Sequence, residues 1–285
     1  MITGFLQGGL GNQLFILFTT IAYAIQNKHP VLFQYTKQSI YWDTFLSSLS
    51  GLTTHIPIIN GLNPIREYTE GKYNELSKIE PNDSAVLYGY FQSFRYFQDE
   101  YAEISRMIGI ADMRYKYNDW FLKNGIDSST TISMHMSNSI LPFKYYKNSL
   151  HCILNQIQDP SDITILYFCK KADIQDVERN IAILQNEFTA CSFKYCNLES
   201  VHNSNLCKIR DISENSLADS INQILGNSDD EMIIMSNCKY NIIANSTFSW
   251  WAAYIGYMED QEHVVCYPSK NNPDLYPKKW TQIDH

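Results

Sequence analysis

Two stretches of this sequence combine bare backbone with short polar side chains at the start of a helical pattern. The first is Gly8-Gly9-Leu10-Gly11-Asn12-Gln13, between apolar Met1–Leu6 and a long apolar run. Glycine permits left-handed turns and close approach of a ligand to backbone N–H groups. A helix start adds unpaired N–H groups and the positive end of its dipole, which favour an anion such as phosphate. Gly9, Gly11 and Asn12 are therefore candidate anion ligands, with a tight turn and a capping Asn as the alternative reading. The spacing is not G-x-G-x-x-G, which disfavours a nicotinamide cofactor. The second stretch is NIIANSTFSWWAAYIG, where Asn245, Ser246 and Thr247 follow a short apolar strand and open an aromatic helix. Their donors lie beyond a strand's carboxyl end, where open α/β sheets bind ligands. Trp250 and Trp251, inside the helix, read as core.

The elements that must position these residues alternate. A strand over Met1–Leu6, a helix over Asn12–Gln26 and a strand in PVLFQYT begin the chain as βαβ, which predicts a parallel sheet. Phe97, Tyr101, Ile104 and Ile108 share one helix face. A second alternating run starts after NGIDSSTT. It has strands in TISMHM, DITILYFC, CSFKYC, NIIAN and EHVVCYP, and helices in LPFKYYKNSLHCILNQI, DIQDVERNIAILQ, SENSLADSINQIL and from about Ser246. The 285 residues suit two domains, divided here into residues 1–125 and 126–285.

Composition removes several classes. A net charge of −8 argues against non-specific nucleic-acid binding, which needs clustered Lys and Arg. The seven cysteines include no C-x-x-C pair, so reduced thiols fit better than zinc or a disulfide framework. Asp229-Asp230 reads as helix-start charge, not as a metal site. No apolar run reaches the roughly 18 residues that span a bilayer, and a soluble cytoplasmic protein is expected.

Three segments in order, GGLGNQLF, GYFQSFRYF and MSNCKYNIIANSTFSWWAAYIG, resemble the α-1,2-fucosyltransferases. The resemblance implies two Rossmann-like domains facing across a cleft, of the GT-B type. It implies an inverting, metal-independent glycosyltransferase with no cofactor, moving fucose from GDP-fucose to a glycan hydroxyl. The nucleotide-sugar would lie on the second domain, with Ser246 and Thr247 on phosphate and Asn12 reaching it from the acceptor-side first domain. His135 and Asn12 are the catalytic candidates. Gly9, Gly11, Asn12, His135, Ser137, Asn245, Ser246 and Thr247 are the donor-binding candidates. Arg95 is placed on the acceptor side, beside Tyr90, Phe91, Phe94 and Tyr96, most of which read as packing.

One departure matters. The family's H-x-R-R-x-D motif corresponds here to SMHMSNSI. His135 is kept, Ser137 and Asn138 stand where two arginines are expected, and Ile140 stands where an Asp is expected. A charge-assisted hydrogen bond to a leaving phosphate contributes about 1.5–3 kcal/mol, so the loss should cost at least about 10–100-fold in rate. Cys169-Lys170-Lys171 stands where such enzymes commonly show Ser-Asp-Asp, and Lys170 or Lys171 is the candidate compensating charge; a solvated lysine pair is the bland alternative. No catalytic base is visible. The alternatives are a catalytically impaired relative that binds a nucleotide-sugar or glycan, and a transferase with a changed donor.

Overall fold

The computed structural model describes residues 1–37, 39–67, 72–137, 141–196, 198, 229–260, 262–269, 272 and 274–284. The helix expected in SENSLADSINQIL, and the motif positions Asn138 and Ile140, lie outside the described residues. The chain divides into two compact units, Met1–Met113 with Lys270–Lys279, and Arg114–Ser269 with Trp280–His285. The sequence division at 125/126 followed a change in polarity, whereas the contacts change partner at 113/114. The reason is Arg114, whose guanidinium donates to Ser236 O at 3.1 Å and pairs with Glu259 at 3.8 Å.

In the first unit, β1 (Ile2–Gly4) leads to α1 (Leu10–Asn27), then β2 (Phe33–Gln34), β3 (Thr53–Thr54), β4 (Asn63–Arg66) and β5 (Ala85–Tyr88). The strands form a parallel sheet in the order β1-β5-β4 and a parallel pair β2-β3, with Ile2 bridging to Val31. α1 is buried from Leu14 to Ala24 because it is apolar on every face. Gly4 lets it lie against β1, since a Cβ there would press on the Thr20 side chain and come within 2.9 Å of Ile16 Cγ2. The expected helix over Tyr41–Leu49 is instead a pair of 3-10 turns, Ile40–Asp43 and Ser47–Leu52. Farther on, α2 (Tyr101–Ile108) buries the expected Tyr101, Ile104 and Ile108 face.

The boundary falls inside α3 (Ile110–Lys116), and α4 (Asn118–Lys123) follows it. The second unit then runs β6 (Thr131–His135), α5 (Phe143–Leu154), β7 (Thr164–Phe168), α6 (Ile174–Glu187) and β8 (Ser192–Tyr195). Residues 229–237 are helical, so Asp229 and Asp230 lie within helix rather than ahead of it. β9 (Tyr240–Ile242), α7 (Thr247–Glu259), β10 (Val264–Pro268) and β11 (Thr281–Ile283) complete it. All six strands are parallel, in the order β11-β10-β9-β6-β7-β8. β11 was not expected from the sequence.

A buried polar knot ties β9 and β6 to the helix over 229–237 and to the turn before β10. Asn241 Nδ2 donates to Ser133 Oγ and to Met235 O at 2.9 Å, and its Oδ1 faces His263 Nε2. Burial holds the His263 ring neutral, its pKa pushed down to about 3. Gly256 of α7 lies on this ring, where a Cβ would meet His263 and come within 2.7 Å of the Ser236 carbonyl oxygen. Gly256→Ala should therefore destabilise the protein by about 1–3 kcal/mol, despite the better helix propensity of Ala. Thermal unfolding reads this as a lower Tm; an unchanged or raised Tm would show that the carbonyl can move aside.

Candidate functional site

The six strands bring their carboxyl ends to one edge, and the candidate side chains of the second unit gather there. His135 is the last residue of β6 and pairs in register with Phe168 of β7, directly before Cys169 and Lys170. Met136 N donates to Phe168 O at 2.8 Å, which carries the ladder one residue past the strand and fixes where Ser137 leaves it. On the other side of β6, β9 ends at Ile242, and Asn245–Thr247 turn into α7. Ser246 is the N-cap of α7, its Oγ accepting from Phe248 N at 3.2 Å. The Phe248 ring lies 5.9 Å from the His135 ring at 63°, placing the helix start beside the end of β6.

Two tyrosines of α5 brace this edge. Tyr145 OH shares its one proton between Ile243 O at 2.6 Å and Cys266 O at 3.1 Å, joining the residue after β9 to the middle of β10. Tyr146 OH accepts from Ser137 N at 3.0 Å, holding the turn after His135. Burial raises the Tyr146 hydroxyl to about 12, so it stays a neutral hydrogen-bonding group. Sequence reasoning missed both tyrosines and Phe248. The available signal was two adjacent Tyr in LPFKYYKNSL, where one helix face cannot explain both being buried.

Burial, and after it the nearby Lys170 charge, lowers the His135 pKa to about 4. The ring is neutral near pH 7, and its Nδ1 is enclosed with no hydrogen-bond partner among the described residues. Asn245 Oδ1 is likewise enclosed and unpartnered. A neutral imidazole can donate from one nitrogen and accept at the other, so His135 can donate to an oxygen arriving at this edge. Lys170 and Lys171 are exposed, and Lys170 caps the 3-10 turn Lys171–Asp173. Among the described residues, no group of three His, Cys, Asp or Glu is arranged to hold a metal ion. Trp250 and Trp251 are buried in α7, as packing requires.

The first-unit candidates are differently engaged. Gly9 is the N-cap of α1 and the helix starts at Leu10, so Gly11 and Asn12 already lie in its first turn. Gly8 takes φ +76°, and a Cβ there would come within 2.6 Å of Asn12 Nδ2. Asn12 Oδ1 accepts from Gln92 Nε2 at 3.2 Å, leaving its amide N–H groups as the donors. Arg95 pairs with Asp274 at 3.1 Å and lies 4.1 Å over the Tyr73 ring, so its guanidinium holds the returning C-terminal segment. Phe91 and Tyr96 are buried, and Tyr90 and Phe94 are half-buried.

Residues 205–282 match the family model described as Glycosyl transferase family 11. Asn245, Ser246 and Thr247 fall inside it, whereas His135, Ser137 and Lys170 lie before it. Over 82 residues the chain is 41% identical to the O-antigen biosynthesis glycosyltransferase WbnK of Escherichia coli, covering 25% of this chain and 26% of that one. Over 75 residues it is 37% identical to an α-1,2-colitosyltransferase of Escherichia coli, covering 24% and 26%. The match thus spans about a quarter of the length of these relatives. Two solved structures share the architecture. FUT1 of Arabidopsis thaliana, a mutant in complex with GDP, gives a TM-score of 0.50 at 13% identity, covering 90% of this chain and 68% of that one. The NodZ α-1,6-fucosyltransferase of Bradyrhizobium, co-crystallized with GDP, gives 0.50 at 10%, covering 88% and 91%. The chain therefore has an α/β fold of the GT-B type, built from Rossmann-like units.

The neutral state of His135 is directly measurable. Its imidazole signals should titrate by NMR with a midpoint near 4, and not near the ordinary 6.5. Because the folded pKa is the lower one, the stability it contributes is complete above about pH 6.5 and is lost as pH falls through 4. A midpoint near 6.5 would show the ring open to water.

Proposed function

We propose that the protein is an inverting glycosyltransferase that moves fucose, or a related deoxysugar, from a nucleotide-sugar to a glycan hydroxyl, with GDP-fucose as the first donor to test. The observation that carries this reading is the edge at β6 and β9, where the neutral His135 ring lies 5.9 Å from the Phe248 ring in the Ser246-capped first turn of α7. The family 11 match over 205–282 supports it, as do the fucosyltransferases among the relatives of like fold. In this reading the first-turn N–H groups of α7 and the Thr247 hydroxyl receive the diphosphate, which the helix dipole favours. His135 donates one N–H to a diphosphate oxygen, and Lys170 supplies the positive charge that stabilises the leaving group as negative charge grows on it. The acceptor oxygen bonds to the sugar C1 as the C1–O bond to the diphosphate breaks, and the hydroxyl proton passes to the departing phosphate or to water. Lysine is a flexible point charge and lacks the two-pronged geometry of arginine, so orientation falls more heavily on the helix start. The reaction is proposed to need no metal or cofactor.

A changed donor sugar is the second reading, favoured by the likeness to a protein named as a colitosyltransferase. Calorimetric titration with GDP, GDP-fucose, UDP and dTDP, with EDTA present, should show binding of GDP and GDP-fucose. Lys170→Gln should weaken GDP about tenfold, as expected for one charge-assisted contact, while Lys170→Arg should retain it. Preference for UDP or dTDP would move the donor. Absence of binding at millimolar concentration would sink the nucleotide-sugar reading, and binding without turnover would identify an impaired relative.

A further inference from the structure

A cavity of about 330 Å³ opens at the carboxyl ends of β1 and β2 in the first unit. We propose that it is a carbohydrate site that takes one pyranose ring of the acceptor glycan. The ligand class rests on the transferase reading; the site itself rests on the following geometry. Gly4, Phe5, Gln34, Thr36, Lys37 and Ile59 line the cavity. Its volume lies at the lower end of the roughly 300–1,000 Å³ of small-molecule sites.

Each wall suits a sugar. A pyranose has an apolar C–H face and a rim of hydroxyls, so it asks for a flat apolar surface beside fixed donors. Phe5 is 36% exposed, unusual for a ring next to a buried strand. Its backbone is fixed, Phe5 N donating to Leu87 O at 2.9 Å. Tyr88 backs the ring at 5.3 Å and 38°, and the Arg66 guanidinium lies 5.2 Å from the Tyr88 ring. The shelf is therefore held in place before any ligand arrives, which lowers the cost of binding.

Gln34 supplies the fixed polar group. Its Oε1 accepts from Ile58 N at 3.1 Å and Ile59 N at 3.4 Å, so the amide plane is set and Nε2 is left with two N–H groups to offer hydroxyl oxygens. Thr36 adds a hydroxyl group, and Ile59 closes an apolar side. Among the described residues, Lys37 is the one charged member of the lining and is exposed at its rim, and no carboxylate lines the cavity, so these residues bind and orient without reacting.

Saturation-transfer NMR on the full chain with lactose, cellobiose and chitobiose tests this. At least one disaccharide should receive saturation on the protons of one ring face. Phe5→Ala should reduce that signal at least fivefold, and Phe5→Trp should keep it. Gln34→Glu preserves an oxygen for the Ile58 and Ile59 amides while removing the donors, and should reduce the signal with Tm unchanged; Lys37→Ala should leave it intact. Transfer from none of the sugars, or signals indifferent to Phe5→Ala and Gln34→Glu, overturns the proposal, as does a signal that depends on Lys37 alone. GDP titration of the same variants separates the two readings: unchanged GDP affinity without sugar binding leaves the donor site standing, and sugar binding without GDP binding leaves the cavity standing.

Discussion

Parallel pairing of all six strands in the second unit is the constraint on which its candidate site depends. Parallel strands send every carboxyl end to the same side, so residues more than a hundred positions apart in sequence arrive together. His135 and Phe248 are neighbours for this reason, and no local motif needs to encode the contact. The edge would still fray where the ladders stop. Tyr145 counters this by bonding the carbonyl just past β9 and one in the middle of β10 with a single hydroxyl, and Tyr146 holds the turn after β6 by accepting from its N–H. A buried backbone group without a partner would cost a few kcal/mol, so these hydroxyls are part of the sheet.

Much of this was legible. The alternation of strands and amphipathic helices marked β6, β7, β8, β9 and β10; β6 and β7, buried on both faces, read as near-continuous apolar runs, whereas edge strand β8 alternates exposed and half-buried residues. The polar cap before SWWAAYIG marked the start of α7, since an N-cap Ser is a local signal with a local cause. β11 and the place of 270–279 were not legible. They are decided by contacts with residues far away, such as Asp274 on Arg95, for which composition leaves no trace. The start of α1 was misjudged by two residues because glycines read as loop, although a helix accommodates Gly11 at a modest cost.

The candidate residues came from two kinds of signal: Asn245–Thr247 from the turn expected after a short strand, and His135 from its place in the motif that the family resemblance supplies. The enclosed, unpartnered Nδ1 of His135 and the brace from α5 appear only once the strands are side by side. Lys170 illustrates the difference. In the sequence it is half of a lysine pair with no assigned partner, whereas in the fold its charge falls close enough to His135 to depress the ring's basicity. In the first unit, Phe5 and Gln34 drew no notice in the sequence, being an ordinary aromatic and an ordinary amide. Their meaning comes from what immobilises them: a second ring behind one, and two backbone amides on the oxygen of the other.

The return of residues 270–279 to the first unit makes the polypeptide change unit three times, at 113/114, 269/270 and 279/280. Neither unit is a contiguous stretch of sequence. A recombinant fragment ending at residue 113 would lack Asp274, to which Ser93 Oγ, Tyr73 N and the Arg95 guanidinium are all bonded. A gene fragment beginning at residue 114 would carry that segment with nothing to receive it. The units are thus stitched together by connectivity, and exchange of one of them with a relative would require two grafted pieces instead of one.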